Sequence, residues 1–319
     1  MPLLQITADD ALCPRLHGSS AALQPALVRA LSLPSCGGGP IVVMVHGYRY
    51  QPGHPTHCPH GSLLSLSGGC GSDGAISWPQ HLGFGRGEAN EGLALAFGWS
   101  ARGSIWQAAR SAGAAGTALA RLVAALHRIA PTRPLHIIAH SLGCRVALSA
   151  LAQSGPGTVN RLLLLAAAEF CTTARAALNS PAGTSAEILN VTSRENDLFD
   201  GLMEALMPPP RPGDRMLGHG SLSARNLVTL QLDHPGALRA LRQHGYPIRP
   251  AARRICHWSP YSRPGIFHLY RSLLSGHLSL EQLRALLPRD TAPRWSRLVP
   301  PPLLRTRVEP PLHAPPKPS

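Results

Sequence analysis

The sequence predicts an α/β fold, a mostly parallel central sheet with helices on both faces, and three observations predict it. Short apolar runs alternate with helix-length stretches along most of the chain, the pattern of strands buried on both faces and joined by helical crossovers. At 319 residues the chain can bury one large core. Its 44% hydrophobic and 14% charged residues belong to a globular protein rather than a disordered one.

"LLQIT" (3–7) reads as an added edge strand. Buried strands are predicted over 41–45, 93–97, 135–139, 162–166, 188–191 and 227–232. A long helix is predicted from Ser104, a residue suited to the N-cap, through "IWQAARSAGAAGTALARLVAALHRI", with Pro131 helping to end it. Further helices are expected over 143–152, 173–178, 198–206, 236–243 and 265–275. Residues 1–37 form an N-terminal edge segment and 38–287 the main domain. Within it, 49–92, rich in His, Gly, Pro and Ser, is too long for a plain connection and reads as a lid-like excursion. The proline-rich 288–319 lacks periodicity and is expected to be a disordered tail.

The net charge of +14 is a cue for nucleic acid or anionic membrane. Here the cue is weak. Lys317 is the only lysine. The excess of Arg, Ala, Gly and Pro matches GC-rich codon usage, and the arginines are scattered among few aromatics with no long basic run. No nucleic-acid partner is expected. Seven cysteines at irregular spacings, with no CxxC pair, fit free thiols rather than a disulfide framework. "MPLLQITADDALCPRLHG" lacks the apolar stretch of a secretory signal, and the longest apolar segment, "LLLLAAAEF" (162–170), is too short to span a bilayer. A cytoplasmic protein without a transmembrane segment is expected, with its oligomeric state open.

The most informative stretch is "LHIIAHSLGCRVALSALA" (135–152), an apolar strand that turns through Ser141 into a small-residue helix. In such a turn strand and helix nearly touch, so the residues two before and two after the serine must be small; here they are Ala139 and Gly143. A-H-S-L-G matches the nucleophile elbow G-x-S-x-G with one glycine replaced by alanine. The geometry would lift the hydroxyl above the carboxyl edge of the sheet and aim the Leu142 N–H, at a helix N-terminus, at a developing oxyanion. The bland alternative is a serine that only caps the helix. A second motif upstream favours the nucleophile: the strand of "PIVVMVHGYRY" (40–50) ends in His46-Gly47-Tyr48, where Gly47 admits close backbone approach and Tyr48 N–H can be the second oxyanion donor.

With these motifs, "VVMVHGY" and "IIAHSLG", the chain resembles the α/β-hydrolase superfamily. "AFGWSARGS" (96–104), "NVTSRENDLFD" (190–200) and "RICHWSPYSRPGIFHLYRSLL" (254–274) extend the likeness to a group of uncharacterised bacterial lipase- and esterase-like α/β hydrolases, over roughly residues 38–275. The fold follows with some specificity; the substrate does not.

In this fold the order is nucleophile, acid, histidine. Asp197, at a strand-to-helix junction, is the expected acid, with Glu169 and Asp200 as alternatives. Of the sixteen histidines, those after Asp197 can be the base. The resemblance favours His257, ahead of the last helix and followed by Trp258 and Tyr261, whose rings could pin it; His234, directly after a strand, is the alternative. "GHPTHCPHG" (53–61) brings His54, His57, Cys58 and His60 together, but irregularly and with no second ligand pair nearby, and reads as lid histidines rather than a zinc site. The expectation is a cofactor-free serine hydrolase acting on a small-molecule ester or related acyl substrate. Ser141 attacks, His257 moves the proton, Asp197 orients the imidazole, and the Tyr48 and Leu142 amides hold the oxyanion. The competing class is a non-catalytic binding or scaffold protein on the same fold.

Overall fold

A computed structural model describes residues 3–9, 11–67 and 76–299. The elements run β1 (Leu3–Ala8), β2 (Pro14–Leu16), α1 (Leu23–Leu31), β3 (Ile41–Val45), α2 (Trp78–His81), β4 (Leu93–Gly98), α3 (Ile105–Ile129), β5 (Leu135–His140), α4 (Leu142–Ala152), β6 (Arg161–Leu165), α5 (Cys171–Leu178) and α6 (Pro181–Ser185). They continue with β7 (Glu187–Thr192), α7 (Asp197–Leu206), β8 (Leu227–Gln231), α8 (Pro235–Gln243), α9 (Ser259–Ser262), α10 (Ile266–Leu274) and α11 (Leu280–Leu286).

The eight strands form one sheet in the order β2-β1-β4-β3-β5-β6-β7-β8. β2 is antiparallel to β1, and every other pairing is parallel. The central strands are buried on both faces because successive side chains point to opposite sides and both sides are covered. Val43 and Val45 of β3 face one core with Leu95, Ile137 and the helices α3 and α4. Val42 and Met44 face the other, with Ile138, Leu163 and α10. β3 is flanked by β4 on one side and β5 on the other, so the chain reverses direction across the sheet there. That reversal opens a crevice at the carboxyl ends of β3 and β5.

Local chemistry accounts for the main crossover. Ser104 accepts from Gln107 N–H while the Gln107 side chain accepts from Ser104 N–H, a capping box that starts α3 where the sequence predicts it. Besides the short helices α2, α6, α9 and α11, two elements near the N-terminus are not predicted from periodicity. β2 is only three residues long and opens on Pro14, tolerable at a sheet edge. It lies outside β1, so "LLQIT" is the second strand and not the edge. In α1, Pro25 interrupts the pattern but falls in the first turn, where no intrahelical N–H bond is lost.

The excursion after β3 is packed against the sheet where it is described. Its described portion contributes Leu63, Leu64, Trp78 and Phe84 to the core on one sheet face, while Tyr48 and Tyr50 at its start reach the crevice. The proline-rich C-terminal segment is not loose where it is described. Ala292 N–H donates to Gln231 Oε1, Arg294 pairs with Glu204 at 2.9 Å, and the Trp295 ring packs on Gly201 of α7. Residues 300–319 lie outside the described residues. No helix among the described residues is long and apolar enough to cross a membrane.

Candidate active site

β5 delivers Ser141 into a turn with φ 56 and ψ −125, a backbone conformation that costs an L-residue energy and is held only where the surroundings impose it. The imposing contacts are close. Ser141 N–H donates to Leu165 O at 2.9 Å, and Ala168 N–H donates to Ser141 O at 3.2 Å. A side chain at Gly143 would run into the Val45 and His46 carbonyl oxygens of the neighbouring strand end, so only glycine lets α4 start there. Gly143→Ala is expected to cost about 3 kcal/mol, since a backbone carbonyl cannot yield as a side chain can. Urea unfolding of this variant checks it; an unchanged midpoint is the contrary result. Ser141 is the N-cap residue of α4 yet its hydroxyl makes no capping bond. That oxygen lies instead 2.8 Å from His257 Nε2.

His257 is held from several sides. Phe199 of α7 stacks on its ring at 4.7 Å, and His140 lies at 4.6 Å on another side. His140 donates Nε2–H to the His257 carbonyl at 3.0 Å; burial keeps its own pKa down at about 4, so it stays a neutral donor. Cys256 N–H donates to Glu195 O at 2.9 Å, and the Glu195 carboxylate pairs with Arg263. These bonds dock the loop bearing His257 onto the turn that follows β7. Burial, reinforced by the nearby His140, also pushes the His257 pKa well below its ordinary value. Its resting form is therefore the neutral imidazole, the form that can accept a proton.

The structure departs from expectation at the third member. His257 Nδ1–H donates to Asn196 Oδ1 at 2.6 Å. Asp197, the expected acid, is turned away: its Oδ2 accepts from Trp295 N–H at 2.6 Å and its Oδ1 lies 3.4 Å from Arg194. The reason is helical geometry. Consecutive residues at a helix start diverge by about 100°, so Asn196 and Asp197 cannot both face the histidine. Asp200 does share the face of Asn196, four positions on, and accepts from Asn196 Nδ2 at 2.9 Å. Glu169 is committed elsewhere, paired with Arg145 at 2.9 Å and capped by Phe170 N–H. His234 caps α8 by accepting from Ala237 N–H at 3.3 Å. The spacing Asn196-x-x-x-Asp200 at the mouth of a predicted helix was the one signal in the sequence that pointed to this pair.

Opposite the serine, the turn after β3 brings Gly47 so near that an added Cβ would lie 2.9 Å from Ser141 Cβ. His46 shapes this turn. Its Nε2 accepts from Trp99 N–H and its Nδ1–H donates to Gly47 O, at 3.0 and 2.9 Å, while Trp99 Nε1–H donates to His46 O at 3.0 Å. The Leu142 and Tyr48 amides, the expected oxyanion donors, have no hydrogen-bond acceptor among the described residues. Both residues line a cleft of about 440 Å³ with Ser141, His257, Ile105, Phe199, Leu202 and Met203. Leu202 and Trp258 at its rim are 54% and 50% exposed. Trp78 and Trp99 are core residues, and Trp106 Nε1–H donates to Leu206 O at 2.9 Å.

An eight-stranded, mostly parallel sheet with a strained serine between β5 and α4, met by a histidine from a late loop, decides the fold. It is that of the α/β hydrolases. A family model described as "Alpha/beta hydrolase of unknown function (DUF900)" matches residues 21–166. The match spans the strands that carry Tyr48 and Ser141 and stops short of Asn196 and His257. No curated protein matches the chain.

Proposed function

We propose that this α/β hydrolase is a serine hydrolase that cleaves carboxylic esters or related acyl compounds through an acyl-enzyme. The observation that carries the reading is the 2.8 Å approach of His257 Nε2 to Ser141 Oγ on a strained turn. Ser141 Oγ attacks the acyl carbonyl as His257 takes its proton; the carbonyl oxygen, now negative, turns toward the Leu142 and Tyr48 amides. His257 then returns the proton to the departing alcohol, and water repeats the sequence to free the acid. Each amide contributes about 3–4 kcal/mol in comparable sites. The cleft wall of Ile105, Leu202, Met203 and Leu206 supports an apolar acyl group rather than a charged one.

One observation favours a second reading, a non-catalytic binding protein: an amide, Asn196, stands where a carboxylate is usual. Labelling with a fluorophosphonate probe separates the two. Reaction confined to Ser141 is the expected result, and a panel of p-nitrophenyl esters of graded chain length should then show a preference for apolar acyl groups. An intact, folded protein that the probe leaves unlabelled fits the binding reading instead.

A further inference from the structure

We infer that Asp200 is a positioning residue for His257, acting through the side-chain amide of Asn196. The inference rests on the proposed roles of Ser141 and His257. An asparagine amide has one accepting and one donating end, and only its neighbours decide which way it lies. Were Asn196 turned over, its NH2 would face His257 Nδ1 and select the tautomer that carries its proton on Nε2. That nitrogen faces Ser141 Oγ, and once protonated it cannot take the serine proton. The sense of one amide therefore decides whether the histidine is a base.

Asp200 settles that sense. An ionised carboxylate only accepts hydrogen bonds, so Oδ1 of Asp200, 2.9 Å from Asn196 Nδ2, holds the NH2 end and leaves Oδ1 of Asn196 for His257 at 2.6 Å. The chain Ser141–His257–Asn196–Asp200 thus runs in one direction only, each donor pointing toward the carboxylate. The enclosure is built for it: Asp200 is 2% exposed, and any side chain at Gly218 would occupy the space its carboxylate fills. Its second oxygen has no hydrogen-bond partner among the described residues, so no other donor competes for its orientation. The charged groups around it are Asp197 and Arg194 from the turn into α7, and Arg294 from the C-terminal segment. His219 adjoins Gly218 and senses Arg294, Arg194 and Glu204. Burial outweighs the arginines and raises the Asp200 pKa to about 7. A protonated Asp200 can donate as well as accept, and then it no longer distinguishes the two ends of the amide.

The test reads the tautomer of His257 by 15N NMR of histidine-labelled protein, beside kcat and KM on a p-nitrophenyl ester. In Asp200→Asn, the His257 signals should change from one Nδ1–H form to a mixture of tautomers. Where the ester is a substrate, kcat should fall on the order of 10²-fold, with KM little changed. The exchanged pair N196D/D200N, which places the carboxylate directly on His257, should return a single Nδ1–H tautomer and kcat within about tenfold of the wild type. In the unsubstituted protein the mixture should emerge as pH is lowered through about 7, a reading that needs no variant to fold. A single, unchanged tautomer in Asp200→Asn or across that titration overturns the inference, as does an exchanged pair that folds and fails to restore it. The tautomer is read whether or not the ester is turned over, so loss of this inference and loss of the hydrolase reading are told apart.

Discussion

Ser141→Ala should lose ester hydrolysis by a factor of about 10⁴–10⁶ and lose fluorophosphonate labelling altogether, while keeping the wild-type melting behaviour. The size follows from what the hydroxyl does. In the proposed reaction it is the atom that forms the covalent bond, and among the described residues it is the hydroxyl that His257 Nε2 meets, at 2.8 Å. Stability should hold because the hydroxyl makes no capping bond to α4. His257→Ala should cost a comparable factor. The double variant should be little worse than either single one, because nucleophile and base act as a unit. Residual turnover above the uncatalysed rate would reflect the Leu142 and Tyr48 amides and the cleft alone. Activity within tenfold of wild type in Ser141→Ala would remove Ser141 from the chemistry.

The second large effect concerns acid. His46 and His140 are held at about 4, and His60 and His136 at about 3, each chiefly because burial penalises the charged ring. His257 is lowered in the same direction. The sign follows by linkage: between these values and the ordinary 6.5 the unfolded chain binds protons that the native state refuses, so stability is lost as pH falls through that window. Asp200, Asp197 and Glu169, raised by burial, act in the opposite sense, for the native state holds their protons longer. More histidines are lowered than acids are raised, so unfolding in this window takes up protons on balance and stability falls as pH falls. The protein should therefore unfold in mild acid, seen as loss of far-UV circular dichroism. His136→Leu should move the midpoint to lower pH. His136 is the natural choice, since its Nδ1 is buried with no hydrogen-bond partner among the described residues. A stability that stays flat from neutral pH to about pH 5 would mean that these rings protonate within the fold.

Both effects stem from the same arrangement, a sheet buried on both faces with polar groups gathered at one edge. Histidines that follow or occupy central strands are desolvated by the packing that makes the sheet. Those at the carboxyl edge, His46, His140 and His257, meet partners that turn neutral imidazoles into donors of fixed direction. The apolar cleft is walled largely by α7, and α7 is held down by the C-terminal segment through Trp295 on Gly201 and Arg294 on Glu204. Part of the chain that composition alone would set aside thus supports the wall of the site.

The sequence by itself determined the sheet and the serine turn. Buried parallel strands are near-continuous apolar runs, and the small residues flanking Ser141 are forced by local crowding, so both are written in contiguous residues. The tertiary structure alone decided which groups meet the histidine. Asn196, Asp197 and Asp200 lie within five positions, and their side chains differ only in the direction that the turn into α7 gives them. His257 comes to Ser141 across 116 positions of sequence, carried there by packing among Cys256, Glu195 and Arg263. Direction around a helix and encounter between distant loops leave no local periodicity, and so the partner of His257 became legible only once the chain was folded.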